Sequence, residues 1–207
     1  MFITFEGIDA SGKTTQQNLL LETLLEQGFD CITTRQPGGT DIGSKIRAIL
    51  LNPNHTEMVP ETEVLLYMAD RIQHVNEVIK PTLKEGKIVL CDRYHDATIA
   101  YQGGGRGLDL SWLTPLTDRL LLKPDLTLWF DISVEESQNR LEERNRSLNV
   151  ENCRLEQEGI DFFNRIRQSY REIAEKDPKR FIVIDAERSI DEIQEEVISI
   201  ILSKLRA

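Results

Sequence analysis

The chain opens Met1-Phe2-Ile3-Thr4-Phe5-Glu6-Gly7-Ile8-Asp9-Ala10-Ser11-Gly12-Lys13-Thr14, and the rest of the sequence is organised around these residues. Phe2 to Phe5 is a short apolar strand. Gly7 to Thr14 matches G-x-x-x-x-G-K-[ST], and a helical pattern runs from Lys13 to about Gln27, where Gly28 stops it. A strand entering the loop and a helix leaving it is the context this motif requires. The glycines let backbone N–H groups turn inward around phosphate oxygens, so Gly7, Ile8, Asp9, Ala10, Ser11 and Gly12 form a cradle. The helix N-terminus and the Lys13 charge complete it. Thr14 offers a hydroxyl to Mg²⁺, and Asp92, at the end of another strand, is the second candidate metal ligand. The motif points to a nucleoside triphosphate and leaves the acceptor open.

Outward from the loop, short apolar runs alternate with amphipathic ones. Cys31-Ile32-Thr33-Thr34, Lys87 to Cys91, Leu126 to Phe130 and Phe181 to Ile184 read as four further strands. Helical patterns fall at 42–51, 61–83 (one helix or two, with Pro81 marking a bend or an end), 113–122, 134–144, 159–176 and 190–205. The alternation predicts an α/β fold with a parallel five-stranded sheet and helices on both faces. The glycine cluster at 103–107 and the polar stretch Glu142 to Glu158 interrupt the pattern. With no repeat or linker, 207 residues read as one domain, residues 1–207.

Composition narrows the function classes. Lys and Arg number 25 against 35 Asp and Glu, a net charge of −10, which argues against a partner such as nucleic acid or an anionic membrane. The three cysteines are odd in number and widely spaced, as expected of a reducing cytoplasmic protein without a disulfide framework. The N-terminus has no secretory pattern, and no apolar run reaches the ~20 residues of a membrane span.

A guanine-reading N-K-x-D segment is lacking, since Lys123-Pro124-Asp125 has no Asn and precedes its strand. A small kinase with a second phosphate site should instead carry arginines at strand ends, and Arg35 and Arg93 stand there, with Arg71 on the long helix. Planar guanidinium groups grip phosphate bidentately, which suits a nucleoside monophosphate. Asp92-Arg93-Tyr94, then Ala100-Tyr101-Gln102-Gly103-Gly104-Gly105-Arg106-Gly107, resembles the thymidylate kinase family. So do Arg35-Gln36-Pro37-Gly38-Gly39-Thr40, Leu65-Leu66-Tyr67-Met68-Ala69-Asp70-Arg71 and Arg154-Leu155-Glu156-Gln157-Glu158, in family order over most of the chain.

The resemblance implies a P-loop nucleoside-monophosphate-kinase-like domain with a short lid at about 142–158. The implied reaction is dTMP + ATP → dTDP + ADP with Mg²⁺, in dTTP biosynthesis, carried out by a homodimer. Arg35, Arg71 and Arg93 would hold the dTMP phosphate, with Asp9 between donor and acceptor. Tyr67 would stack on thymine, Thr98 and Gln102 would lie near the base, and Tyr101 beneath the sugar. Ala10 stands where one branch of the family has an Arg, so the resemblance is to the bacterial branch, whose lid arginines close over ATP. Arg144 and Arg146 are the ATP-side candidates here. Arg154 joins Asp9, Lys13 and Arg93 as a catalytic candidate. Cys153 and Ala97 stand where Asp and Ser are common. The alternative is a kinase for another nucleotide or a deoxynucleoside. The histidines read as surface residues, and the three cysteines as packing residues.

Overall fold

The computed structural model describes residues 1–206. Its strands are β1 (Phe2–Glu6), β2 (Cys31–Arg35), β3 (Ile88–Asp92), β4 (Leu126–Asp131) and β5 (Phe181–Asp185). They form one parallel sheet in the order β2-β3-β1-β4-β5. The helices are α1 (Lys13–Glu26), α2 (Asp41–Leu51), α3 (Pro60–His74), α4 (Lys80–Lys84), α5 (His95–Ala97), α6 (Leu110–Leu120), α7 (Val134–Leu148), α8 (Ile160–Lys176) and α9 (Ile190–Leu205). Strand alternation separates two apolar layers. Ile3, Phe5 and Leu90 belong to the larger one with Leu20 and Leu24 of α1. Phe2, Val89 and Cys91 belong to the other with Val64 and Met68 of α3. Among the described residues, no helix is long and apolar enough to cross a membrane.

Because the chain goes from β1 to the edge strand β2, returns to β3, and then crosses to β4, the strand order reverses around β1. Ligands of open α/β sheets sit at the carboxyl ends of strands at such a switch point. The register makes that edge sharp: Phe5 pairs with Asp92, and Arg35 also pairs with Asp92. The segments beginning at Gly7, Gln36 and Arg93 therefore leave the sheet side by side.

Several elements differ from the sequence expectation for local reasons. The stretch 61–83 is one continuous helical rod whose middle, Val75–Ile79, widens into a π-helical turn between α3 and α4. Pro81 lacks an N–H and crowds the carbonyl four residues earlier, and the widened turn accommodates it without a break. The glycine cluster does not interrupt structure either. Thr98–Gly105 is itself π-helical, and its glycines let α8 approach. A Cβ on Gly104 would lie 2.6 Å from the Ser169 Cβ, and one on Gly105 2.6 Å from Phe162 Cε2. Helix α7 continues past Arg144 to Leu148, so only residues 149–158 of the expected lid are irregular. The histidines are not all on the surface: His74 is fully buried and His95 nearly so.

Candidate active site

The carboxyl edge of the sheet opens into a cavity of about 890 Å³. Gly12, the N-cap of helix α1, has φ 87° and supplies no side-chain cap, so the first N–H groups of the helix are left for a ligand. Gly7 has φ 140°, and a Cβ there would lie 2.6 Å from the Phe130 carbonyl oxygen, so only glycine passes at this point. The loop side chains from Asp9 to Thr14 line the cavity. Gly7 and Ile8 act through their carbonyls. Gly7 O accepts from Arg93 Nη1 at 2.6 Å, and Ile8 O accepts from Lys13 Nζ at 2.7 Å. Burial lowers the Lys13 ammonium to about 8, with the Arg93 charge acting in the same direction.

Arg93 is the hub of the crevice. Its backbone has φ 62°, a left-handed conformation uncommon outside glycine and frequent at functional turns. Its Nη2 donates to Asp9 Oδ1 at 2.7 Å, and its guanidinium lies 5.1 Å from the centre of the Tyr101 ring. Burial alone would push the Asp9 carboxyl up. Arg93 and Lys13 hold it below its usual value.

Arg71 is 1 % exposed, and its Nε and Nη2 both donate to the Tyr94 carbonyl at 3.0 and 2.7 Å. Its Nη1 has no partner and belongs to a residue lining the cavity. Arg35 enters the same cavity from the end of β2 and forms no ion pair among the described residues. Three guanidinium groups thus line one volume, an arrangement that favours an anion there. Tyr67, Tyr101 and Gln102 also line it, with Arg71 5.2 Å from the Tyr67 ring centre. The Tyr101 hydroxyl is buried without a partner.

Thr14 and Asp92 fit a divalent cation held mainly by phosphate oxygens. Thr14 Oγ1 donates to Asp92 Oδ2 at 2.8 Å, while Asp92 Oδ1 is buried without a partner. No cluster of three or more His, Cys, Asp or Glu side chains forms a metal cage among the described residues. One or two protein oxygens plus substrate phosphates is the usual arrangement for Mg²⁺.

Three sequence candidates stand elsewhere. Arg146 is exposed beside Glu142, Asn145 and Asn149 in a separate recess. The continued α7 helix explains this: two residues beyond Arg144 is a rotation of ~200°, which carries Arg146 to the opposite face. Thr98 is fully buried behind the cavity wall, with Oγ1 unpartnered. Arg154 is 8 % exposed and does not line the cavity. Its Nη2 donates to Glu63 Oε2 at 2.6 Å and its Nε to the Leu50 carbonyl at 2.9 Å. Glu63 is a sealed carboxylate that needs cations around it, and Arg154 is one of them.

Other residues of the cavity were not among the sequence candidates. Arg140 lines the cavity with Arg144, an i,i+4 spacing on α7 that was an available signal. Arg47 of α2 also lines it and donates to the Pro37 carbonyl at 3.0 Å, with no local signal to reveal it. Glu6 ends the buried strand β1 and accepts from the Tyr94 and Ala97 backbone N–H groups at 2.7 and 3.3 Å and from the Tyr170 hydroxyl at 2.7 Å. It thereby ties down the turn that carries Arg93. Burial and the nearby Asp96 charge push the Glu6 carboxyl up to about 7. Cys153 is half-buried at the cavity wall, where burial pushes its thiol up to about 11.

His74 braces the end of β2 and the loop that follows it. Its Nε2 pairs with Thr34 Oγ1 and its Nδ1 with Gln36 Nε2, both at 2.7 Å. Burial drops its pKa to about 4, so it is neutral at pH 7. A group depressed in the native state binds fewer protons there than when unfolded, so stability is lost as pH falls from ~6.5 towards 4. Between pH 7 and 5 this one residue is expected to remove about 2 kcal/mol. Urea unfolding at the two pH values, compared between the parent and His74→Gln, checks it. An identical pH dependence in the variant refutes it.

The family profile described as thymidylate kinase matches residues 5–197. A thymidylate kinase of Desulfosudis oleivorans (strain DSM 6200 / JCM 39069 / Hxd3) is 47 % identical over 191 residues, 90 % of this chain and 89 % of the relative. One from Geotalea uraniireducens (strain Rf4) is 45 % identical over 207 residues, 99 % and 97 % of the two chains. The crystal structure of thymidylate kinase from Ehrlichia chaffeensis matches with a TM-score of 0.79 and 35 % identity, covering 98 % of each chain.

Proposed function

This chain belongs to the thymidylate kinase family, and from that membership we propose which of its residues carry the transfer of a phosphoryl group from ATP to dTMP. The chain is an ATP-dependent kinase that phosphorylates dTMP to dTDP, a reaction of nucleotide biosynthesis; the relatives do not favour another acceptor.

The observation that carries the residue assignment is the convergence of Arg35, Arg71 and Arg93 on the volume facing Lys13 and the α1 N-terminus. In our reading the loop from Gly7 to Thr14 cradles the ATP phosphates, and Arg140 and Arg144 flank them from α7. Arg35 and the free Nη1 of Arg71 bind the dTMP phosphate, while Arg93 stands between the two phosphates. Asp9 fixes the Arg93 fork. Tyr67 stacks on the base, Gln102 reads its edge, and Tyr101 packs beneath the sugar.

No general base is required, because the dTMP phosphate already carries about −1.5 to −2 charge at neutral pH. The protein's task is to bring two repelling anions into line and offset charge on the transferring group. The metal is proposed to be Mg²⁺, held on the protein side by Thr14 and Asp92, where it would supply charge neutralisation at the phosphate oxygens. A homodimer completes the proposal. Val59 and Leu65 of this chain are about half exposed on and beside α3, which supports that face as the contact. A cytoplasmic setting follows from the cysteine usage.

The deciding experiment is ADP release with MgATP against dTMP, dUMP, AMP, CMP, GMP and thymidine. Turnover confined to dTMP, with at most weak dUMP activity, supports the base pocket assigned to Tyr67 and Gln102. Equal turnover with a purine monophosphate discards that assignment while keeping the phosphate-loop chemistry.

A further inference from the structure

Glu63 lies one helical turn before Tyr67 on α3, yet it is not among the cavity residues. Its side chain is 1 % exposed, and donors converge on it from three directions. Gln102 Nε2 donates to Oε1 at 2.9 Å. Arg106 donates through Nε at 3.2 Å and Nη2 at 3.0 Å, and Arg154 Nη2 donates to Oε2 at 2.6 Å. Burial alone would push this carboxyl up, but the hydrogen bonds of Arg106 and Gln102, with the Arg106 and Arg154 charges, hold it below the usual range. It is therefore ionised at neutral pH and can only accept.

That restriction passes to Gln102. A glutamine amide has a donor end and an acceptor end, and a carboxylate captures the donor end. The Gln102 side-chain carbonyl oxygen has no hydrogen-bond partner among the described residues, and Gln102, 1 % exposed, lines the cavity beside Tyr67 and Tyr101. We infer that Glu63 is a positioning residue for base selection: it locks the Gln102 amide so that only a hydrogen-bond acceptor faces the acceptor nucleotide. A pyrimidine whose ring N3 carries a hydrogen meets that acceptor favourably. One whose N3 carries a lone pair, as in dCMP, meets it with repulsion. The inference rests on the proposed placement of the base beside Gln102.

The test measures kcat/KM for dTMP and for dCMP with MgATP in the parent, Glu63→Gln, Gln102→Leu and the double variant, each checked for folding by circular dichroism. In Glu63→Gln either end of the Gln102 amide can face residue 63, so the dTMP-over-dCMP ratio is expected to fall about tenfold. The loss should appear mainly in KM for dTMP. Gln102→Leu should lower the ratio at least as far, and the double variant no further, because Glu63 acts through Gln102. A purely structural role would depress both substrates alike and leave the ratio unchanged.

An unchanged ratio in folded Glu63→Gln, with a lowered one in Gln102→Leu, overturns the inference. An unchanged ratio in Gln102→Leu overturns the placement of the base beneath it, and the inference with it. Should Glu63→Gln not fold, Glu63→Asp keeps the charge against Arg106 and Arg154 while withdrawing the carboxylate by one methylene. A ratio lowered about threefold supports the inference, and parent behaviour overturns it.

Discussion

Replacing Arg93 by alanine is expected to reduce kcat by about 10³ or more while the protein stays folded. The side chain bridges the two halves of the crevice, bound at 2.6 Å to the Gly7 carbonyl and at 2.7 Å to Asp9, with the Tyr101 ring beneath it. Its removal takes the central cation from between the phosphates and leaves the Asp9 carboxylate facing them unpaired. An arginine stabilising a transferring phosphoryl group contributes 10³–10⁵ in rate in related systems. Alanine brings no new backbone strain at φ 62°, because it carries the same Cβ that arginine does. Arg93→Lys keeps the charge but not the fork that spans Gly7 and Asp9, so it should recover only a small part of the loss. Steady-state kinetics at saturating ATP and dTMP, with a thermal melt for each variant, provide the check. Turnover within tenfold of the parent in Arg93→Ala would falsify the assignment.

Arg154→Ala should behave in the opposite way, with a large loss of stability and a modest loss of turnover. Arg154 and Glu63 are both sealed, and removing one partner of a buried pair costs 3–5 kcal/mol because the other charge is left uncompensated. Arg106 still faces Glu63 in the variant, which places the expected cost near the lower limit, about 3 kcal/mol. For a chain of this size that corresponds to a fall in melting temperature of roughly 6–12 °C. Folded enzyme should keep kcat within about tenfold of the parent, because the α7 arginines that line the cavity, and are proposed to flank ATP, are Arg140 and Arg144. A parent-like melt combined with a hundredfold drop in kcat would show instead that Arg154 reaches the transferring phosphoryl during turnover.

The contrast between these two arginines marks the boundary of what is legible in a sequence. Arg93 directly follows a buried strand and a carboxylate, so its place at the sheet edge is a local consequence of where β3 ends. Arg154 sits in an equally suggestive segment, but its partner is 91 residues away. Arg144 and Arg146 pose the same problem in smaller form. Their separation of two residues is visible, but which of them lines the cavity depends on whether the helix continues past Arg144.

Buried polar residues were the other blind area. Glu6, Glu63 and His74 are ordinary polar letters in otherwise amphipathic or apolar runs, and nothing adjacent reveals that each is sealed and hydrogen-bonded to a segment of the active site. The sequence alone determined the order of strands and helices, the phosphate loop with Lys13 and Thr14, the place of Arg35 and Arg93 at strand ends, and the family resemblance. These rest on short-range periodicity, backbone freedom at glycine and contiguous motifs. The tertiary structure alone decided which arginines line the cavity and which face a buried carboxylate. It also decided that the glycine run at 103–105 packs as a helix under α8 and that Gln102 turns its donor end to Glu63. The physical reason is common to all three. Desolvation makes a buried charge or amide demand a partner, and which partner comes within reach is set by packing between elements distant in the chain.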